Sequence, residues 1–356
     1  MKNLRIGVAG LGRGKLFIKH FEQIPGCEVV AVCDSIEAAL EPFRNFSAHT
    51  EYDEFLKEHL DIIAVITPGP VHAEQSVKAM ESGAHVLCET PCVYSLAEAQ
   101  EVVECVKKTG RKYMLAENYI WAGWMHNIKQ KADEGLFGEI VYAEGDYTHD
   151  CRNLMLLTND GYIPYAERDK HPDAKKSWRA TDLPPIYYTS HTLGPLLVLM
   201  DDRVTSVVGM STGCRTAPDL ETIDLESALM QTEKGSIIRL TNGFALAHPF
   251  STHYSIAGTK GSLKMQRAKS PTFVWYTDEA DPPMEGWEEA PEEWLTRPDG
   301  ADDTLVMMRD FVTSILNDTP EPIDVYRSME FVLPGVLAHE SAMQGGVKIE
   351  VPDLRT

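Results

Sequence analysis

No stretch of this 356-residue chain approaches the roughly 18 consecutive apolar residues that a membrane span needs. The start, MKNLRIGVAG, has too short an apolar run for a signal peptide, and a glycine-rich turn stands where a cleavage site would be needed. Positive charge is scarce: 33 Lys and Arg face 54 Asp and Glu, a formal charge of −21. Such a surface repels phosphate backbones and anionic lipid, so neither nucleic acid nor membrane is an expected partner. A neutral small molecule, or an anion held in a local basic pocket, fits better. Paired cysteines are also missing. The seven cysteines, at 27, 33, 88, 92, 105, 151 and 214, are odd in number and irregular in spacing, which points to reduced thiols in a cytoplasmic protein. Cys88 and Cys92 stand close together, but no second pair completes a zinc site, so no metal is expected.

What is present is a globular composition, 43% hydrophobic and 24% charged, which excludes wholesale disorder and a collagen-like chain. At about 150 residues per domain the length suggests two domains. Over residues 1–121, short apolar runs alternate with helical patterns. Leu4–Gly10, Glu28–Asp34, Asp61–Pro68, His85–Thr90 and Lys112–Asn118 read as buried strands. Lys15–Gln23, Val71–Ser82 and a segment from Ser95 to Gly110 read as helices, the last opened by a capping box of Ser95 and Glu98. Continuous apolar strands alternating with helices imply a doubly wound parallel sheet.

After residue 121 the pattern changes. Trp124–Glu134 reads as a helix and Gly138–His149 as an alternating strand. Asp150–Pro185 reads as a long polar and aromatic loop, of a length that usually serves as a functional cover. A helix from near Tyr188 to Met200 precedes strands at Val204–Thr212, Glu226–Gln231, Ser236–Asn242, His253–Ala257, Ser262–Gln266 and Thr272–Tyr276. Turn signals between them indicate a mostly antiparallel sheet. Asp278–Glu293 reads as an acidic solvated loop, and Asp303–Leu316 and Val325–Met343 as closing helices. The expected architecture is α/β: an N-terminal Rossmann domain over 1–121, then a C-terminal α/β domain with a large open sheet over 122–356. Apolar residues such as Val207, Leu229 and Ile237, expected on the uncovered sheet face, predict a homo-oligomer joined through it.

Gly10-Leu11-Gly12-Arg13 lies between the first strand and the first helix. There a glycine pair makes the tight turn and lets the backbone approach a pyrophosphate, while the helix N-terminus supplies amides and dipole. The third small residue is expected at position 15, where Lys15 stands; Gly14 falls one place early. A P-loop is excluded, since it would need Gly at Ala9 and Ser or Thr at Leu16. Asp34 ends the second strand, where an acid accepts hydrogen bonds from the adenosine ribose hydroxyls and repels a 2′-phosphate. Ser35 and Ile36 bring no compensating arginine, so the predicted cofactor is NAD rather than NADP. Thr67, Pro68, His72, Glu89 and Asn118 follow at or just beyond strand ends, which line the ligand crevice of a doubly wound sheet.

Thr67-Pro68-Gly69-Pro70-Val71-His72 and Cys88-Glu89-Thr90-Pro91 resemble Thr-Pro-x-x-x-His and Glu-Lys-Pro of the Gfo/Idh/MocA superfamily, named for glucose–fructose oxidoreductase and inositol dehydrogenase. The likeness continues in Ala116-Glu117-Asn118-Tyr119, Gly138-Glu139-Ile140 and Gly258-Thr259-Lys260-Gly261, and spans nearly the whole chain. It implies a nicotinamide-binding Rossmann domain, sugar or polyol substrates, and hydride transfer. In typical dehydrogenases of the superfamily the lysine of Glu-Lys-Pro acts with an Asp and a His four apart on a helix. Here Thr90 replaces the lysine, Tyr187 stands where the Asp is expected, and only His191 matches.

A narrower resemblance lies in Tyr188-Thr189-Ser190-His191-Thr192-Leu193-Gly194-Pro195. It is similar to the Tyr-x-x-His-x-Leu-Gly-Pro stretch of the NAD-dependent α-N-acetylgalactosaminidases, which also lack the lysine. Residues 144–150 and Trp178-Arg179 are similar there too. That group oxidises a ring hydroxyl, usually at C3, which acidifies the neighbouring C–H. The aglycone is eliminated, water adds, and the ketone is reduced again, so NAD is regenerated in each cycle.

Oxidising an alcohol requires loss of the hydroxyl proton as hydride leaves carbon. A neutral His191 can take that proton. Tyr188, one helical turn earlier, can share the site. Lys175 or Lys176 could restore the missing positive charge. His149, Arg152, Trp178 and Arg179 are candidate sugar contacts. The expected function is NAD-dependent oxidation of a ring secondary hydroxyl, at C3, of a sugar or glycoside. One alternative is a glycosidase or lyase working by transient oxidation and elimination. A second, suggested by the two departures from the catalytic set, is a non-catalytic NAD-binding or sensory protein.

Overall fold

The computed structural model describes residues 3–158, 161–265, 272–276, 286–297 and 299–356. The chain divides into two compact units. One comprises Met1–Trp121, Ala301–Met329 and Leu354–Thr356; the other comprises Ala122–Gly300 and Glu330–Asp353. The helix Asp303–Leu316 groups with the first unit because Met307, Met308 and Phe311, spaced to share one helical face, are buried there.

The first unit is built on a six-stranded parallel sheet in the order β3-β2-β1-β4-β5-β6. The strands are β1 (Leu4–Ala9), β2 (Cys27–Cys33), β3 (Ser47–His49), β4 (Ile62–Val65), β5 (His85–Cys88) and β6 (Tyr113–Leu115). Ile62, Ile63, Ala64 and Val65 of β4 have no solvent exposure, as expected of a strand covered on both faces. The order reverses between β1 and β4, which places a switch point at their carboxyl ends. The helix Leu96–Thr109 is capped as its sequence predicts. Ser95 accepts from the Glu98 amide, Glu98 accepts from the Tyr94 amide, and Gly110 ends the helix at φ 65°. The first helix, α1 (Leu11–Phe21), begins four residues before the expected Lys15. Its glycines do not break it: both sit in the first turn, and Gly14 is packed closely against Val8. The short strand β3 carries too little apolar sequence to be seen without its neighbour β2.

The second unit contains a nine-stranded sheet. Its order is Glu288–Glu289, Thr272–Tyr276, Gly261–Met265, Ser251–Gly258, Ile140–Thr148, Ile237–Gly243, Leu225–Thr232, Val204–Ser211 and Ile349–Glu350. All neighbours are antiparallel except Ile140–Thr148 with Ile237–Gly243. The helix Ser190–Met200 lies on the central strands. A Cβ on Gly145 would stand 3.0 Å from Thr192 and 3.3 Å from Leu196, so glycine lets that helix sit close. The helix Val325–Met343 crosses the strand Val204–Ser211 at Gly209, where a Cβ would overlap the Ala338 carbonyl. On the opposite face Met210, Leu229 and Ile237 are exposed. Val207, expected on that face, is buried instead; it pairs with Met230, and both side chains point toward the helices.

Two further expectations change. Residues 150–185 hold a three-stranded sheet (Leu156–Thr158, Gly161–Tyr162, Lys175–Lys176) and short helical turns in place of an unstructured loop. Of the acidic stretch 278–293, residues 278–285 lie outside the described residues, while Glu288–Glu289 is an edge strand and Glu292–Leu295 a helical turn. Among the described residues no helix is long and apolar enough to cross a membrane, and no group of three His, Cys, Asp or Glu could hold a metal ion.

Candidate functional site

In the first unit the predicted cofactor residues gather at the carboxyl ends of β1, β2, β4 and β5. Gly10 has φ 88°, and a Cβ there would stand 2.4 Å from the Ile66 carbonyl, so only glycine makes this turn. A Cβ on Gly12 would meet no protein atom, which leaves the first turn of α1 open to a close-approaching group. Gly14 packs α1 onto β1, with its Cβ position 2.9 Å from Val8. It does the work of the third glycine from one place early. Asp34 accepts from the Leu11 amide at 2.8 Å and from the Ile36 amide at 2.9 Å while staying partly exposed. A carboxylate offers about four acceptor positions, so capacity remains for a ribose diol. These features fit a dinucleotide: a glycine turn at a helix N-terminus, with a carboxylate beside it.

Arg13 and Glu89 are brought together, with Nε and Oε1 2.7 Å apart. Glu89 is buried at the end of β5. His72 lies inside the unit, its Nε2 2.7 Å from the Thr67 carbonyl and its Nδ1 2.9 Å from the Pro91 carbonyl. It ties the loop after β4 to the loop after β5, and burial lowers its pKa. Thr67 donates to Gln75 at 2.7 Å, and Pro68 leads into a short turn at Gly69–Val71. Asn118 donates to Thr304 at 3.3 Å. Thr90 is buried at 2% exposure, in the place of the superfamily lysine.

In the second unit Tyr188 and His191 are neighbours. Tyr188 ends the short turn Pro185–Tyr188, and His191 stands in the first turn of Ser190–Met200. Their rings are 4.9 Å apart at 75°. Tyr147, from the strand Ile140–Thr148, packs 5.3 Å from His191 and 5.7 Å from Tyr188. Phe244 closes on Tyr188 at 5.5 Å. Phe250, 53% exposed, stands edge-on to both Tyr147 and His149. Tyr254 donates to the His191 carbonyl and packs tilted against Trp124, the rings 4.9 Å apart at 40°. The imidazole and two phenols therefore share one apolar surround. Burial lowers the His149 pKa, and the nearby Arg179 and His191 lower it further.

Arg179 lies 4.5 Å over Trp178 and donates to the Tyr162 hydroxyl at 3.1 Å. Arg152 is held by Asp150 through Nε at 2.8 Å and a second nitrogen at 2.6 Å. That pair lowers the Asp150 pKa. Lys176 bonds Glu221 at 2.8 Å and Lys175 is exposed, so neither joins the Tyr188–His191 cluster. Tyr147, Phe244, Phe250 and Tyr254 were not predicted as site residues. Tyr147 shares a sheet face with the inward Ala143 and Gly145, a signal carried by strand alternation once the register is known. Phe244 and Phe250 flank an irregular link between strands and have no sequence signature.

Comparison with known proteins places the fold. The family model of oxidoreductases with an NAD-binding Rossmann fold matches residues 4–117, and the GFO/IDH/MocA C-terminal domain matches 125–264. The C-terminal domain of glycosyl hydrolase family 109 matches 218–356. A glycosyl hydrolase family 109 protein of Streptomyces filamentosus is 28% identical, over 98% of this chain and 77% of its own length. An α-N-acetylgalactosaminidase of Bacteroides fragilis is 25% identical, over 98% of this chain and 91% of its own. A family 109 relative from Porphyromonas gingivalis, 27% identical, is matched over 60% of its length and 73% of this chain. Similar folds occur in levoglucosan dehydrogenase, solved with NADH and L-sorbose, at TM-score 0.79, 18% identity and coverage of 99% of this chain and 100% of that one. Myo-inositol 2-dehydrogenase of Lactobacillus plantarum gives TM-score 0.74 and 20% identity over 99% and 100% of the two chains.

Proposed function

We propose that this chain, built from the NAD-binding and C-terminal domains of the Gfo/Idh/MocA oxidoreductase family, oxidises a ring secondary hydroxyl, at C3, of a sugar or glycoside. The observation that carries the reading is the pairing of Tyr188 with His191 in a unit whose partner unit has the dinucleotide turn. NAD supplies the hydride acceptor. Gly10, Gly12 and Asp34 would hold it, with Arg13, Thr67, Pro68, Glu89 and Asn118 around them and His72 bracing the loops.

The protein's own chemistry is proton handling. His191, as neutral imidazole, takes the hydroxyl proton, since only that form has a lone pair to offer. The Tyr188 phenol, whose ring stands edge-on to His191, donates a hydrogen bond to the substrate oxygen as His191 takes its proton. Tyr147 and Phe244 exclude water around both. His149, Arg179 and Trp178 orient sugar hydroxyls, and Arg152 holds Asp150 and the start of the 150–185 segment. The buried Thr90 has no charge to offer, so no cation assists the proton transfer from that position.

A second reading follows from the family 109 match over 218–356 and from the names of the curated relatives. In it the same oxidation is transient. The C3 ketone acidifies the neighbouring C–H, that proton is lost as the aglycone leaves, water adds across the resulting double bond, and hydride would return to the ketone from the reduced cofactor. One experiment separates the two. The enzyme is incubated with NAD and a panel of free sugars and aryl glycosides, and NADH absorbance and aglycone release are followed together. A dehydrogenase accumulates NADH; a redox-cycling glycosidase releases aglycone without net NADH. Neither signal across the panel would leave a non-catalytic NAD-binding protein. The protein is also read as cytoplasmic, from its unpaired cysteines, and as a homo-oligomer through the open face of the nine-stranded sheet.

A further inference from the structure

We propose that the Glu226–His339 pair positions Tyr188 for the reaction, an inference that rests on the role given to Tyr188 above. Glu226, on the strand Leu225–Thr232, is 1% exposed. The His339 Nδ1–H donates to its Oε1 at 2.7 Å. Its Oε2 accepts the backbone amide of Ile186 at 3.3 Å. Pro184 and Pro185 have no N–H, so the Ile186 amide is the first donor of the turn Pro185–Tyr188, and a carboxylate faces that end.

The helix Val325–Met343 meets the same segment at three residues spaced by four, hence on one helical face. The Phe331 carbonyl accepts the Thr189 hydroxyl at 3.0 Å. Gly335 lies under the Ile186 carbonyl, which would stand 2.3 Å from any Cβ there. The His339 ring stands perpendicular to Tyr187, 5.4 Å away. Tyr187 is thus fixed inward against the Glu226–His339 pair. In a turn with about 3.0 residues per revolution, the next side chain points roughly a third of a turn away. That residue is Tyr188, which emerges into the Tyr147–His191–Phe244 cluster.

A polar pair with a buried member stabilises a fold little better than apolar residues of the same volume. Stability alone is therefore a weak reason to set the buried Glu226 against His339. A fixed-length acceptor for Ile186 gives a stronger one, since displacing a reacting group by about 1 Å can lower a rate by about 10²-fold.

The test is a double-mutant cycle on the full chain. Turnover, KM, NAD affinity and melting temperature are measured for Glu226→Gln, His339→Leu and His339→Asn, each with Tyr188 intact and in the Tyr188→Phe background. We expect Glu226→Gln and His339→Leu to lower kcat by about 10- to 100-fold with Tyr188 present, and by less than about twofold once the phenol is gone. KM and NAD affinity should stay within about twofold. His339→Asn, whose amide can present a donor near the Nδ1–H position, should recover most of the loss seen in His339→Leu. Equal losses in both backgrounds, or normal turnover of Glu226→Gln where Tyr188→Phe is impaired, would overturn the proposal alone. Full turnover of Tyr188→Phe would overturn the functional reading and the proposal with it. If Glu226→Gln does not fold, the comparison of His339→Leu with His339→Asn decides the matter by the same criterion.

Discussion

His191 and Asp34 ask different things of one residue. In the proposed reaction His191 changes protonation during turnover, beside Tyr147 and Tyr188. General-base catalysis is worth about 10²–10⁴-fold, so His191→Ala should lower turnover by that order. NAD affinity by titration should change little, since His191 belongs to the second unit. Asp34 must stay charged and keep two backbone amides as well as the ribose diol. Wild type should bind NAD at least about tenfold more tightly than NADP. Asp34→Ala should narrow that preference and also loosen the turn, lowering stability by about 1 kcal/mol as the two amides lose their acceptor. Equal affinity of wild type for both cofactors would remove Asp34 from cofactor selection.

At the scale of elements, close approach of backbone decides. Gly10 holds φ 88° with the Ile66 carbonyl where a Cβ would go. Gly10→Ala should therefore lose about 2 kcal/mol or more by denaturant unfolding, together with NAD binding. The pair Asp150–Arg152 makes a pH-dependent contribution. Its hydrogen bonds from Arg152 depress the Asp150 pKa, so the stabilisation is present above the carboxyl's unfolded value and lost as pH falls through the lower folded value. The pair is partly exposed, so Arg152→Ala should cost about 1 kcal/mol at pH 7. That difference should shrink in melting curves as pH falls, and vanish below the lowered folded value, where both carboxyl states are protonated. Strand and helix identity was readable at this scale where periodicity was strong, as in β4 and the helix Leu96–Thr109. The start of α1 differs from the sequence expectation because glycine reads as a helix breaker in a sequence, whereas Gly12 and Gly14 lie in the helix, Gly14 at a spot where a side chain would meet Val8.

At the scale of the molecule, the open sheet face is where we propose that copies assemble. Met210, Leu229 and Ile237 are exposed there, 72%, 54% and 46%, more than single surface residues need explaining but together a patch. Met210→Glu with Leu229→Lys should shift the protein toward monomer by light scattering at micromolar concentration, with the melting profile of the monomer retained. A monomeric wild type under the same conditions would remove the oligomer from the functional reading. The sequence by itself determined the class of fold, the glycine turn with its acid, the loss of the lysine at Thr90, and the nearness of Tyr188 to His191, because each is a matter of local spacing. It could not show that Tyr147 and Phe244 join that pair, that Val207 turns inward, or that Glu226 and His339, 113 residues apart, meet beneath Ile186. Those depend on strand register and helix crossing, and a one-residue change of register sends every side chain of a strand to the other face.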